Sequence, residues 1–240
     1  MQSAIFIDRR DAAEQLAKKL EWWKAETTKE STEPDKLSTN IVVLAIPRGG
    51  VVIGDVIASN LGSRLDIVVS RKIGAPSNPE LAIGAVMPDG SVYTNENIVN
   101  HLSVPQEYID SQAKAEVREI ERRLYRFRGD IEYEESLRGK TVVLVDDGIA
   151  TGATILAAAK WLRSKNLCKK LVIAAPVAPP SDSTLESLKN LADEVVILYS
   201  PEPFYAVGQF YKKFPQVSDD EVIEIMQKYG YTGKGNEATQ

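Results

Sequence analysis

Two adjacent carboxylates, Asp146 and Asp147, are followed directly by a loop of small and hydroxyl-bearing residues, Gly148-Ile149-Ala150-Thr151-Gly152-Ala153-Thr154. Ionised carboxylates only accept hydrogen bonds, so the pair suits sugar hydroxyls or the water shell of a hard cation. A loop of Gly, Ala and Thr lets several backbone N–H groups turn toward one point, and the threonine hydroxyls add donors. A helix starting there adds partial positive charge, and the whole suits a phosphate. A second candidate anion site is Pro47-Arg48-Gly49-Gly50. The guanidinium of Arg48 offers a fork of donors for phosphate oxygens, against the plainer reading of a solvated Arg beside a tight turn. Arg71 and Lys72 form a further basic pair.

These groups need elements to hold them. Thr141–Val145 (TVVLV) is a short apolar β-branched run and reads as a buried strand, with a helix expected over Ile155–Arg163. Ile41–Ile46 (IVVLAI) is a second such strand. It runs into the Gly49-Gly50 turn and a helix over Val51–Asn60, with Gly62 as the stop. Leu65–Ser70, Leu171–Ala175 and Glu194–Tyr199 read as further strands, and Ser183–Leu191 as a helix. Strands separated by helices or crossovers predict an α/β fold with a central, mostly parallel sheet and helices on both faces. Both acids and both small-residue loops then lie at carboxyl ends of strands, where open α/β sheets bind ligands. No Gly-Lys-Ser/Thr follows the loop, so it is not a Walker A motif, and no Gly-x-Gly-x-x-Gly follows a predicted strand.

The bulk properties narrow the class. A chain of 240 residues with 43% apolar content can fill a core and fits one large α/β domain or a domain with a small appendage. No run of 18 apolar residues occurs, so no membrane span is expected. The first residues lack a basic stretch followed by an apolar one, so no signal peptide is expected. The net charge of −5 argues against a nonspecific nucleic-acid binder. The single cysteine, Cys168, forbids an internal disulfide and fits a reducing cytoplasm. The single histidine, His101, is assigned no role.

Other stretches frame these motifs. Ile5–Ile7 reads as a short edge strand and Asp8 as the cap of a helix whose apolar face carries Ala13, Leu16, Ala17, Leu20 and Trp23. Residues 24–40 are polar and read as a surface-loop insertion. In residues 74–97, Gly74–Pro79 should be mobile, and Asp89-Gly90 marks a hairpin between Ile83–Met87 and Val92–Thr94. Ile109, Ala113, Val117, Ile120, Leu124 and Phe127 form one helical face. Arg118, Arg122, Arg123, Arg126 and Arg128, interleaved with Glu116, Glu119 and Glu121, read as its ion-paired solvent side. Residues 200–216 are dense in aromatics and form a hood, whose faces could stack on a flat base or simply cover the sheet edge. Ser218 or Asp219 caps a helix over Asp220–Tyr229, and the tail, residues 231–240, is expected to fray.

The stretch from Val142 to Thr154 resembles the PRPP-binding motif of type I phosphoribosyltransferases: an apolar strand, two acidic residues and a loop ending in Thr-Gly-x-Thr. The chain is also similar to an uncharacterised phosphoribosyltransferase group through Ile46–Val51, Pro79–Ala85 and Ala206–Tyr211 with Phe214-Pro215. The resemblance implies one phosphoribosyltransferase domain over residues 1–230. It implies transfer of 5-phosphoribosyl from PRPP to a nitrogenous acceptor with release of pyrophosphate; a purine-like base is the expected acceptor and a non-purine the alternative. Asp146, Asp147 and Arg48 would be catalytic, the two acids touching Mg²⁺ indirectly through PRPP or water. Ala150, Thr151, Gly152, Ala153 and Thr154 would hold the 5-phosphate, and Arg48, Gly49, Gly50 and Lys72 the pyrophosphate. Phe204, Tyr205 and Val207 would meet the base, residues 74–97 would form a flexible lid and hairpin, and Glu80 could act on the incoming base. The 6-oxopurine enzymes of the family carry Asp just before Thr-Gly. Ala150 stands there in this chain, as in the adenine enzymes. A cytoplasmic homodimer with no membrane or nucleic-acid partner is expected. The alternative is a non-catalytic PRPP or nucleotide sensor with the same fold.

Overall fold

A computed structural model describes residues 4–23, 38–133, 137–180 and 183–233. In chain order its elements are α1 (Arg9–Leu20), β1 (Ser38–Ala45), α2 (Gly49–Leu61), β2 (Ser63–Ile67), β3 (Arg71–Ala75), β4 (Asn78–Val86) and β5 (Val92–Thr94). There follow α3 (Glu96–His101), α4 (Gln106–Arg128), β6 (Thr141–Val145), α5 (Ala153–Ser164), β7 (Lys170–Val177), α6 (Ser183–Leu191), β8 (Glu194–Tyr199) and α7 (Asp219–Lys228).

Five strands pair in the order β2-β1-β6-β7-β8, every pair parallel. The apolar runs Ile41–Ala45 and Val142–Val145 are fully buried, as central parallel strands covered on both faces must be. Each such Val, Leu or Ile contributes about 1.5–3 kcal/mol of transfer free energy, which is what fixes the centre of the sheet. The expected α/β architecture with a mostly parallel sheet is therefore present.

The order of strands decides where a ligand can sit. From β1 the chain crosses through α2 to β2 on one side; from β6 it crosses through α5 to β7 on the other. The loops leaving β1 and β6 diverge and open a crevice between them, the usual ligand position in such sheets. Ala45 and Val145 are register partners, so both loops start at the same level. The Ile46 N–H donates to Val145 O at 3.0 Å and carries the pairing one residue further.

A second sheet, β3-β4-β5, is antiparallel and packs on α4 and α5. It corrects the expectation of a loop over Gly74–Pro79. Residues 71–75 and 78–86 are strands joined at Pro76-Ser77, so the stretch is the outer end of a hairpin. The next turn is as read, with β4 and β5 facing each other across Asp89-Gly90 and Val86 opposite Val92. This second hairpin is pinned to the end of α5 by Tyr93 Oη with Ser164 Oγ at 2.6 Å, and by Lys165 Nζ with Asp89 at 3.0 Å.

Several boundaries also move. Strand β2 is Ser63–Ile67 rather than Leu65–Ser70. Residues 38–40 belong to β1 rather than to the insertion, of which 24–37 lie outside the described residues. Ile5–Ile7 is a single parallel bridge, Phe6 to Tyr211, not a strand. Residues 231–233 pack back on α4, with the Thr232 N–H donating to Arg128 O, while 234–240 lie outside the described residues. Gly62 stops α2 as expected, with φ 63°.

Candidate active site

The acid pair follows β6, and its loop closes on a helix. Gly152 has φ 71° and is the residue before α5; its carbonyl accepts from Leu156 N at 2.8 Å. Ala150 and Thr151 are exposed, Gly152 is buried, and Ala153 and Thr154 form the first turn of α5. The five expected phosphate residues therefore do surround one helix N-terminus. Gly152 is required twice over: its φ lies in the left-handed region, and an added Cβ would overlap Thr184 Cγ2. Gly152→Ala is expected to cost about 1 kcal/mol or more, read as a drop of a few degrees in a thermal melt. An unchanged melting temperature would contradict that geometry.

The loop after β1 comes against the acid pair through backbone, not side chain. A Cβ on Gly49 would overlap Asp147 Oδ2, and one on Gly50 would lie 3.0 Å from Val145 O and 3.2 Å from Asp146 Oδ1. Glycine at both positions lets the first turn of α2 press against the two carboxylates. The Pro47–Arg48 peptide bond is cis. The Arg48 side chain turns toward the C-terminal helix, where Nη1 meets Asp219 Oδ1 at 3.1 Å. Asp219 also binds Arg126 Nη1 at 2.8 Å. Thus Arg48, Gly49 and Gly50 reach the crevice with their backbone, while the guanidinium is engaged elsewhere. Lys72 lies on the outer hairpin, 3.2 Å from Glu80 Oε2. No hydrogen bond or ion pair links either side chain to the acids among the described residues.

The acids have distinct surroundings. Asp146 Oδ1 accepts from the Asp147 N–H at 2.8 Å. Asp147 Oδ2 is 2.8 Å from Arg9 Nε, and the Asp147 carbonyl accepts from Tyr211 Oη at 2.6 Å. Burial, then the neighbouring Asp147, pushes Asp146 well above the ordinary carboxylate value. Burial raises Asp147 too, against the opposing pull of Arg9. Burial likewise raises the Tyr211 phenol, which stays a donor. Two crowded carboxylates with one guanidinium beside them form a site suited to a further cation.

The hood closes one side. Val207 packs on Gly148, where a Cβ would lie 2.5 Å from Val207 Cγ1 and 2.9 Å from Val177 Cγ2. Phe204 is half-buried against Phe210 at 4.8 Å between centroids, while Tyr205 is 84% exposed. The N-terminal residues tie the hood down: Ile5 and Phe6 N–H donate to Phe210 O, and Lys212 N–H donates to Phe6 O. Of the three expected base contacts, Val207 reaches the acid loop and Tyr205 stands in solvent.

Sequence reasoning missed Arg9, Tyr211 and Asp219. Arg9 had a signal. It lies three and four residues before Ala12 and Ala13, on the buried stripe of α1, where a charge requires a partner. Arg128 is likewise buried on the core stripe of α4, against the expectation of a solvent-facing arginine. Arg122 and Arg123 do pair with Glu119 as expected, at 2.7 Å each.

With this geometry in hand, the likeness to known proteins is specific. The model of the phosphoribosyl transferase domain matches residues 7–192. Two Mycobacterium tuberculosis proteins, from strains CDC 1551 and H37Rv, carry the provisional name of phosphoribosyl transferase. Each is 38% identical over 224 residues, 93% of this chain and 47% of the relative. The chain thus spans about half the length of the curated relatives it matches. The crystal structure of the Thermus thermophilus protein TT1426 is 36% identical and superposes with a TM-score of 0.69, covering 93% of this chain and 98% of that one. On the family match and these identities, the chain belongs to the phosphoribosyl transferase domain family.

Proposed function

We propose that this domain transfers a 5-phosphoribosyl group from PRPP to a nitrogenous acceptor, a purine-like base, and releases pyrophosphate. One observation carries the reading: the backbone of Gly49 lies against the Asp147 carboxylate at the switch point of the sheet, beside a glycine-capped helix N-terminus. That juxtaposition offers two anion cradles with an acid pair between them. The N–H groups of Ala150–Thr154 and the first turn of α5 hold the 5-phosphate and fix the ribose. Backbone N–H groups at Gly49 and Gly50 receive the pyrophosphate, with Arg48 and Lys72 as candidates to join them once ligand is present. Asp146 and Asp147 accept from the ribose hydroxyls and favour positive charge developing at C1. Positioning of this kind can lower a barrier by about 7 kcal/mol.

Mg²⁺ fits the donor set. The ion keeps several waters and needs one or two carboxylates plus substrate phosphates, and the crowded pair supplies the carboxylates. Asp146 and Asp147 would hold it through its waters, and when bound it would neutralise charge on the departing pyrophosphate. Val207 and Phe204 would shape the acceptor pocket, with Tyr205 able to close over a base from solvent. Ala150, where the 6-oxopurine enzymes have an acid, favours an adenine-like acceptor over hypoxanthine or guanine. Among the described residues no helix is long and apolar enough to cross a membrane.

The test is calorimetry with PRPP and Mg²⁺, followed by a pyrophosphate-release screen across bases. Saturable PRPP binding with release for at least one base is expected. Binding without release for any acceptor would favour the sensor, and no binding would overturn both readings.

A further inference from the structure

We propose that Arg9 is a positioning residue for the donor sugar, setting the rotamer of Asp147 and tying it to the aromatic hood; this rests on PRPP occupying the β1–β6 crevice. Arg9 is the first residue of α1, directly after its cap, Asp8, whose carboxylate accepts from Arg10 N and Asp11 N. The side chain is buried and makes three contacts with two separate parts of the chain, the acid loop and the hood. Nε is 2.8 Å from Asp147 Oδ2 in the acid loop. Nη1 donates to Pro215 O in the hood at 2.7 Å. The guanidinium plane rests on the Phe214 ring, 3.7 Å from its centroid. A Cβ on Gly49 would also come within 3.0 Å of Arg9 Nε, so the guanidinium lines the same narrow gap as the pyrophosphate loop.

A planar fork held at three points cannot rotate without breaking a contact. An ammonium on a flexible stem is not pre-organised in this way. Phe214 is held in turn by Tyr211, stacked at 4.8 Å, whose hydroxyl donates to the Asp147 carbonyl. Carboxylate and backbone of Asp147 are thus both fixed from the hood side. Arg9 holds Oδ2, and the orientation it fixes decides which lone pairs of the carboxylate face a ribose hydroxyl. A consequence distinguishes this role from simple anchoring of α1: Phe214, part of the acceptor hood, should influence binding of the donor.

The experiment is calorimetry of PRPP with Mg²⁺ on the wild type, Arg9→Lys, Asp147→Ala and the double variant, each with a thermal melt. Arg9→Lys is expected to weaken binding about tenfold. The double variant should bind no more weakly than Asp147→Ala alone, because Arg9 acts through that carboxylate and alanine leaves it nothing to hold. An unchanged affinity in Arg9→Lys, or penalties that simply add, would overturn the inference. Should Arg9→Lys melt below the assay temperature, Phe214→Leu takes its place, with the same loss and the same non-additivity expected. A wild type that binds no PRPP would instead overturn the phosphoribosyl reading, whatever the variants do.

Discussion

Replacing both Asp146 and Asp147 by Asn is expected to remove PRPP turnover while leaving the protein folded and no less heat-stable. The substitution keeps side-chain volume and leaves an oxygen acceptor for Arg9 Nε, so the contact at 2.8 Å can persist. What disappears is charge. In the ligand-free protein the two carboxylates are crowded and partly desolvated, and both are held above the ordinary carboxylate value by that burial. Neutralising them removes a repulsion from the folded state, so the melting temperature should hold or rise. With PRPP bound, the same substitution replaces one acceptor oxygen of each side chain by an NH₂ donor facing the ribose hydroxyls and removes the negative field at C1. Losing one preorganised electrostatic contact costs a rate about 10²–10³-fold, and the pair should cost at least that. Pyrophosphate release and a thermal melt on one preparation settle the matter. Turnover at the wild-type rate refutes the catalytic role; a melting temperature lowered by several degrees marks the acids as structural instead.

What is legible in the sequence is the part governed by local rules. An apolar β-branched run followed by acids and small residues places Thr141–Val145, the acid pair and the small-residue loop with no knowledge of their neighbours; the structure keeps the strand and starts α5 two residues earlier, at Ala153. The pairing of the loop after β1 with the loop after β6 is a property of strand order, which no local pattern encodes. Its visible trace is Gly49-Gly50, where a Cβ on the first would overlap Asp147 and one on the second would crowd Asp146. Arg48 misleads for the same reason. Its fork suits a phosphate, but the partner it meets, Asp219, arrives from a helix far along the chain. The hairpin at 74–79 reads as a loop because Gly, Pro, Ser and Asn dominate it. Pairing of β3 with β4 overrides that composition, and Gly74 fits where a Cβ would strike the Pro79 backbone. Arg9 and Arg128 are legible in principle. Each continues the apolar stripe of its helix, and a charge on such a stripe announces a buried partner without naming it.

That second arginine carries the largest stability effect to be expected away from the crevice. Arg128 is 4% exposed and Asp66, on β2, is 1% exposed. Nη2 donates to Asp66 Oδ2 at 3.1 Å, and Nε lies 2.7 Å from Oδ1 as an ion-pair contact. The guanidinium also donates to Glu132 O at 2.9 Å and to Asp130 O at 3.2 Å, and it stacks on Tyr133 at 4.4 Å. Asp66 Oδ1 in turn accepts from the Ile67 N–H at 2.7 Å. The pair thus fastens the end of α4 to the edge strand of the parallel sheet. Asp66→Ala leaves a buried cation facing a void and should cost about 3–5 kcal/mol in urea unfolding. The paired replacement Asp66→Leu with Arg128→Met removes both charges together and should recover most of that loss, because desolvating two ions offsets most of their attraction. Asp66 lies on β2 and α4 runs beside the second sheet, so folded Asp66→Ala protein should bind PRPP with wild-type affinity. A single variant that unfolds within about 0.5 kcal/mol of wild type would mean that water reaches the pair. A double variant as unstable as Asp66→Ala would mean that the ion pair itself, rather than the avoidance of an unpaired charge, holds α4 to the sheet.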